Sequence, residues 1–196
     1  MVERANTNLA ANDELALVLA ARGGDESAFK TLYLANVNAI FGFVAARTDR
    51  HTAEDLTADT FAKAYAAIGR FEPREVPFRA WLFRIAHNLV IGRARRRSSS
   101  EVGLQPEHAH ALVDPAPDVE RQVSGALDAE RLRECLALLP ESQATVLDLR
   151  YLRELSVAET AAALELSEEA VRALSYRSLK ALRALFVPAG GADNER

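Results

Sequence analysis

Few residues in this chain are suited to cross-linking or to sharp turns. The only cysteine is Cys135, so no disulfide can form within the chain and no zinc site can be built from several thiolates. A single free cysteine fits a reducing compartment, and we expect Cys135 to fill a small space in the core. There are only 9 glycines and 7 prolines, and alternating runs of valine, isoleucine and threonine are missing. Because alanine and leucine are frequent instead, the composition favours an all-α fold.

Long apolar runs are also missing from the sequence. We find no segment long enough to cross a bilayer, and the N-terminal MVERANTNLAANDE lacks the apolar centre of a signal peptide. We therefore expect a cytoplasmic protein with no membrane contact of its own. A length of 196 residues, with 49% hydrophobic and 27% charged residues, fits a soluble protein of one domain or two small ones.

Motifs of catalysis and of cofactor binding are not recognised either. There is no glycine-rich phosphate loop, no spacing typical of a metal site and no nucleophile motif. Of the four histidines, His51 and His87 are isolated in sequence. His108 and His110 are two residues apart, but no further ligand is near, so we expect them to be solvated. The sequence predicts a non-enzymatic protein without catalytic residues, cofactor or metal.

Positive charge is concentrated in one segment, although the chain has a formal net charge of −4. Residues 70–97 hold eight arginines and two glutamates, which gives them a charge of +6 (8 − 2). A local excess of arginine in an acidic protein favours a polyanionic partner, and nucleic acid is the simplest one. On charge alone, a solvated basic helix end stays an alternative. The arginines are Arg70, Arg74, Arg79, Arg84, Arg93, Arg95, Arg96 and Arg97.

The same segment has the pattern of an amphipathic helix. Pro77 suits its first turn, where a missing N–H removes no intrahelical hydrogen bond. Apolar residues at spacings of three and four predict one buried face, and we interpret most of Trp81 as core. The apolar positions are Phe78, Trp81, Leu82, Ile85 and Leu89, and the polar positions on another face are Arg84, Asn88 and Arg95.

A change in composition divides the chain into two helical domains. Residues 98–127 are rich in serine, proline and acidic residues without sustained periodicity, so we interpret them as a flexible acidic linker. The domains are predicted at 12–97 and 128–187. In the first domain, we expect helices to be capped at Asn12, Asp25 and Thr52, with Asp55 completing a weak capping box at the third.

The second domain has the pattern of a helix-turn-helix. Ser156 and Glu159 form an S-x-x-E capping box before a short helix. A tight turn at Glu165 follows, and Ser167 caps a last helix that is predicted to end near Phe186. A short helix, a three-residue turn and a longer basic helix are typical of DNA-binding helix-turn-helix domains, although any αα-hairpin can imitate them.

With both domains in view, the chain resembles a bacterial sigma factor of the extracytoplasmic-function (ECF) group, the smallest sigma-70-type proteins. Three segments carry the resemblance in the order and spacing of the family. They are AEDLTADTFAKAYAAIGRF (53–71), FRAWLFRIAHNLVIGRARRR (78–97) and LPESQATVLDLRYLRELSVAETAAALELSEEAVRALSYRSLKALRAL (139–185). The resemblance implies a sigma-2-like helical bundle and a sigma-4-like helix-turn-helix domain on either side of the linker.

The resemblance also implies the partners and the residues that meet them. The partners are core RNA polymerase, through its largest-subunit coiled coil and its flap region, and promoter DNA, and an anti-sigma factor is common in the family. Asp55, Leu56, Thr60 and Phe61 match the positions that dock on the coiled coil. Those that match −10 recognition and strand opening are Arg70, Phe71, Arg74, Phe78, Arg79, Trp81, Arg84, Asn88 and Arg95. Within this set, the loop 70–76 matches a pocket for a flipped base.

The last helix departs from the pattern of the family. Ser167, Arg172, Tyr176, Arg177 and Lys180 match positions of −35 recognition. Glu165, however, replaces the usual glycine of the turn, Leu174 and Leu179 stand where arginine is frequent, and Ser175 replaces a leucine. Exposed leucines suit a protein partner better than a DNA groove.

Two other functions stay open at this stage. The chain could be a transcription regulator that binds duplex DNA without polymerase, as the helix-turn-helix pattern allows. It could also be a helical adapter that binds no DNA, as Leu174 and Leu179 suggest.

Overall fold

The described part of the chain comprises residues 11–73, 76–100, 131–132 and 134–186 of a computed structural model. These residues are helices and turns, and no strand occurs among them, so the all-α prediction is confirmed. They belong to two compact units, one built on the helices before residue 100 and the other on most of the helices after residue 131. The predicted linker lies outside the described residues from residue 101 onward, and residues 98–100 belong to a helix.

Four helices form the first unit. They are α1 (Ala11–Arg22), α2 (Glu26–Ala45), α3 (Arg50–Ala67) and α4 (Phe78–Ser100), and the 3₁₀ turn Ile68–Arg70 follows α3. Helix α2 packs against the other three, so it is the centre of the bundle. Its side chains Leu32, Ile40, Phe43 and Val44 are fully buried, which matches the helical stripe of apolar residues in the sequence.

Helix α2 is also long and strongly apolar. It has 20 residues and a mean hydropathy of 1.3, enough to span a membrane by length and composition. The expectation that no segment is long enough was therefore wrong. The same criteria are met by core helices of soluble proteins, and the packing of α2 on three other helices is that of a core helix.

Aspartates cap two of these helices. Asp25 accepts hydrogen bonds from the Ser27 and Ala28 backbone N–H groups at 2.9 and 3.2 Å, as predicted for the start of α2. Helix α3, however, begins at Arg50, and its cap is Asp49 rather than Thr52. The reason is that Thr52 lies in the third helical position, where its N–H reaches the Asp49 carboxylate at 2.9 Å. Helix α1 begins at Ala11, so Asn12 lies inside it and does not cap it.

Both caps are expected to weaken in acid. Hydrogen bonds from Ser27 lower the pKa of Asp25 below its ordinary value of 3.8, and the Thr52 N–H has the same effect on the pKa of Asp49. Because the folded-state pKa lies below the unfolded one, this stabilisation is present above 3.8 and is lost as the pH falls through the lowered pKa. Asp25→Asn keeps a capping oxygen without the charge. The melting temperature difference between the native chain and this variant should therefore shrink below pH 3.8, and a difference that stays constant would contradict the prediction.

After residue 131, the described part of the chain contains a helical turn at 134–137 and three helices. These are α5 (Glu141–Leu147), α6 (Val157–Leu164) and α7 (Glu168–Phe186), with α5 packed against α7. Cys135 is buried, as expected for a core residue. The sequence predicted one helix over 141–152, but a π-helical turn, Asp148–Leu152, continues α5. The Arg153 N–H bonds to the Asp148 carbonyl in this turn, and the Arg153 guanidinium pairs with the buried Asp148 carboxylate at 3.0 Å.

The turns on either side of α6 follow the sequence prediction closely. Ser156 and Glu159 form the reciprocal capping box, with distances of 3.1 Å to the Ser156 hydroxyl and 2.7 Å to the Glu159 carboxylate. Ser167 accepts a hydrogen bond from the Ala170 N–H at 3.1 Å and caps α7. Between α6 and α7, Glu165 has a φ of +56°. A left-handed residue here explains why glycine is favoured at this turn.

Candidate protein and nucleic-acid interfaces

Three of the four residues predicted to bind polymerase lie inside the first unit. Leu56, Thr60 and Phe61 are at most 5% exposed. The Thr60 hydroxyl donates to the Leu56 carbonyl at 2.7 Å, and the Phe61 ring packs edge-on against Tyr33 with centroids 4.7 Å apart. Only Asp55 faces solvent, where its carboxylate lies 3.7 Å from His51 Nε2. The structure thus separates one surface residue from three core residues.

Other α3 side chains accompany Asp55 on the outside of the bundle. They recur at spacings of three and four, so they share one face. We call this face the α3 surface. It combines three carboxylates with two small side chains, and its residues, all exposed, are Glu54, Asp55, Ala58, Asp59 and Ala62. The two alanines were not predicted as site residues, although the helical period of the acidic positions points to them.

The aromatic residues predicted to open DNA form a buried cluster. Phe71 and Trp81 stack with centroids 4.5 Å apart and planes 22° from parallel, and Phe78 packs against both. All three are at most 8% exposed, which confirms that Trp81 is mainly a core residue. The cluster joins the start of α4 to the segment after α3. Arg70 is exposed beside it, whereas Arg74 lies outside the described residues.

Polar residues of α4 lie on its outer side. Asn88 and Arg95 are exposed, while Arg79 and Arg84 are half-buried. The Arg79 guanidinium lies over the Phe83 ring, 5.8 Å from its centroid, so its stem covers part of the core. Because Arg84, Asn88 and Arg95 recur with the helical period, they form one donor-rich strip, which we call the α4 strip.

Arg93 points elsewhere, toward the start of α3. Its guanidinium donates to the Thr52 hydroxyl at 3.0 Å, and that hydroxyl donates to the Asp49 carboxylate at 2.7 Å. Thr52 is only 3% exposed. These three residues therefore connect α4 to the cap of α3, a contact that sequence periodicity does not predict.

The residues predicted to read the −35 element lie on the outside of α7. Arg172, Tyr176, Arg177 and Lys180 are exposed, and Tyr176 is 71% accessible. Arg172 pairs with Glu168 at 2.5 Å, one turn earlier. Ser167 lies at the start of the helix as its cap. Arginines, a lysine and an exposed aromatic ring on one helix face are residue types that can contact phosphates and bases.

The unusual residues of α7 do not form a leucine face. Leu179 is 41% exposed, but Leu174 is half-buried, so the expectation of two exposed leucines was wrong for Leu174. Ser175, which stands where the family usually has leucine, faces inward and is only 8% exposed. The outer side of α7 is therefore mainly basic.

Ser175→Ala is expected to stabilise α7. The Ser175 hydroxyl is buried and has no hydrogen-bond partner among the residues that the structure describes, which costs about 1 kcal/mol or more. Hydrogen exchange of the α7 amides should slow in the variant. The matched control is Ser178→Ala, because the Ser178 hydroxyl donates to the Leu174 carbonyl at 2.7 Å. Equal effects of both variants would contradict the prediction.

Metal ligands do not converge in the described ranges. No group of three or more histidine, cysteine, aspartate or glutamate side chains there could hold an ion. His108 and His110 lie outside these ranges.

Comparison with known proteins matches both units. Residues 32–100 match the family model of sigma-70 region 2, and residues 135–184 match sigma-70 region 4. SigC of Mycobacterium tuberculosis, an ECF RNA polymerase sigma factor, is 33% identical over 183 residues, which are 91% of this chain and 95% of SigC. BldN of Streptomyces coelicolor, another ECF sigma factor, is 35% identical over 175 residues, or 87% of this chain and 64% of BldN. The chain belongs to the ECF RNA polymerase sigma factors of the sigma-70 family.

Solved structures of the same family resemble this chain. CnrH in complex with the cytosolic domain of CnrY superposes with a TM-score of 0.66 at 26% identity, covering 88% of this chain and 96% of CnrH. RpoE of Bartonella quintana, in complex with the anti-sigma factor NepR, gives a TM-score of 0.65 at 25% identity and covers 80% and 95% of the two chains.

The family decides between the functions left open by the sequence. As an ECF sigma factor, the protein binds core RNA polymerase, directs it to specific promoters and promotes DNA opening. Neither a regulator acting without polymerase nor an adapter explains the match to region 2. Proteins of this family are transcription initiation factors rather than enzymes.

Proposed function

We propose that the α3 surface is where the protein docks on the coiled coil of the polymerase largest subunit. Asp55 is the direct contact, and the observation that carries the proposal is its exposure beside two further carboxylates on one face. Leu56, Thr60 and Phe61 act from inside by holding α3 in the bundle. A helix that presents carboxylates around small side chains suits a basic or polar groove.

The α4 strip is the proposed contact with the −10 element. Asn88 reads a base, while Arg84 and Arg95 bind phosphates with their forked guanidinium groups. Arg70 and Arg79 extend this charge toward the start of α4. Phe71, Phe78 and Trp81 form the buried cluster that supports the proposed base pocket. Arg74 is assigned to this pocket by its position in the sequence. Replacing Asn88 should therefore change the −10 preference and leave core affinity unchanged.

The outer face of α7 is the proposed −35 contact. Arg172, Tyr176, Arg177 and Lys180 supply it, and Ser167 fixes the start of the helix. The domains proposed for these roles are 12–97, with α4 extending to Ser100, and 128–187, connected by residues 98–127. The flap region of core polymerase is the proposed partner of the second domain.

Run-off transcription with purified core RNA polymerase tests the function. We expect transcripts from a subset of a promoter panel only when both core and this chain are present. Binding of the chain, together with core polymerase, to promoter DNA should weaken steeply with salt because its arginines release counterions from DNA. If the folded chain does not associate with core, or if transcripts do not depend on it, the proposal fails.

The remaining assignments concern chemistry, location and control. We infer that the chain has no catalytic activity and no cofactor, and that it acts in the cytoplasm, where it meets polymerase. An anti-sigma factor is a further proposed partner, because CnrH and RpoE are found with bound protein partners. Competition between such a protein and core for this chain, measured by size-exclusion chromatography, would test that assignment.

A further inference from the structure

The contact between Arg93 and the cap of α3 has an unusual composition for a helix–helix junction. A carboxylate, a hydroxyl and a guanidinium follow one another: Asp49 accepts from Thr52 at 2.7 Å, and Thr52 accepts from Arg93 at 3.0 Å. The Thr52 backbone N–H also donates to Asp49 at 2.9 Å. We call these three residues the Arg93 junction. Hydrogen bonds fix direction as well as distance, so the junction defines the orientation of α4 at this point.

Packing alone does not explain an arginine at this place. Its Nε atom is buried and has no hydrogen-bond partner among the described residues, which is a cost that an aliphatic side chain would avoid. Thr52 is almost completely buried, so its hydroxyl is not there to form a hydrogen bond with solvent. Because the junction is polar in spite of this cost, we expect that it contributes a defined geometry.

The junction lies within one helical turn of both proposed interfaces. Arg93 precedes Arg95 of the α4 strip by two residues, and Thr52 precedes Asp55 of the α3 surface by three. A small rotation of α4 about its axis at Arg93 would turn Arg95 away from the DNA that α4 contacts. The basic end of α4 is thus anchored to the same helix that is proposed to dock on polymerase.

We propose that the Arg93 junction is a positioning device that aligns the basic end of α4 with the polymerase-docked α3 surface, so that promoter DNA on the polymerase is opened efficiently. This inference rests on the proposed function of both surfaces. Arg93, Thr52 and Asp49 are positioning residues here, since they act through the orientation of α4.

Thr52→Val tests the junction because it removes the hydroxyl and keeps the shape. On a promoter found by run-off transcription, opening of duplex DNA, measured by permanganate reactivity of unpaired thymines, should fall by about tenfold or more, as for loss of a hydrogen bond to a charged group. Core affinity should stay within twofold, and a template with a pre-opened −10 element should restore opening. Arg93→Met should behave alike, and the double variant should be no worse than either single one.

Three further variants separate positioning from folding. Thr52→Ser restores the hydroxyl and should restore opening. Thr48→Val is the matched control, because the Thr48 hydroxyl donates to the Val44 carbonyl nearby and should have no effect on opening. Arg93→Lys keeps the charge without the fork and provides a second test if Thr52→Val does not fold.

Three results would overturn the inference. They are unchanged opening in both single variants, an equal loss of core affinity and opening, or additive losses in the double variant. If the native chain itself shows no core-dependent opening, the proposed function fails and the inference fails with it. A functional native chain with unaffected variants refutes the inference alone.

Discussion

Replacing Trp81 with alanine is expected to unfold the first unit rather than to block strand opening selectively. Trp81 is 8% exposed and stacks on Phe71 with centroids 4.5 Å apart. Removal of such a ring costs about 3–5 kcal/mol, a large part of the 5–15 kcal/mol that usually stabilises a domain. Core binding and promoter opening should therefore decline together. Thermal unfolding followed by circular dichroism, in parallel with core affinity, measures both effects.

Asn88→Ala is the matched comparison for Trp81. Asn88 lies two turns further along α4 and is exposed, so its loss should leave the melting temperature unchanged. Trp81 is the only tryptophan and remains in this variant, so its fluorescence reports unfolding of the first unit. A Trp81→Ala protein that keeps its melting temperature and loses only strand opening would show that the ring contacts DNA directly.

Reversing the charge of Asp55 is expected to weaken core binding by about tenfold or more without changing the fold. Asp55 is exposed on the α3 surface. An arginine in its place would repel the positive groups of polymerase that the carboxylate is proposed to contact. Titration of labelled chain with core polymerase measures the affinity. The control is Asp13→Arg, a reversal of the same charge at an exposed position of α1. Equal affinities of the two variants for core would contradict the assignment of the α3 surface.

Phe61→Ala should have a different result from Asp55→Arg, although the sequence assigned both residues to one interface. Phe61 is 5% exposed and contacts Tyr33, so its truncation should cost about 3–5 kcal/mol of stability. Its effect on core affinity should then follow the unfolded fraction and disappear at temperatures where the variant is folded. The sequence assigned Asp55 and Phe61 to one interface, whereas their burial separates an exposed residue from a core residue.

Local chemistry made several elements predictable. The caps at Asp25, Ser156 and Ser167 were found because a short polar side chain and a nearby N–H suffice to identify them. The cap at Asp49 was missed because Thr52, three residues later, is also a good capping residue, and only the path of the chain decides between them. The positive φ of Glu165 follows from its place in the helix-turn-helix rather than from its residue type.

The sequence by itself determined the family, the two helical domains and the charge of the region that is proposed to contact DNA. These depend on composition, helical period and motif order, which are read along the chain. Only the tertiary structure decided which of the matched residues are accessible: Phe61 and Trp81 face the core, while Asp55 and Asn88 face solvent. It alone placed Arg93 on Thr52, because a contact between residues 41 positions apart depends on how α3 and α4 pack. Burial and long-range contacts depend on how the helices pack, and the sequence of one helix alone does not specify which helix packs against it.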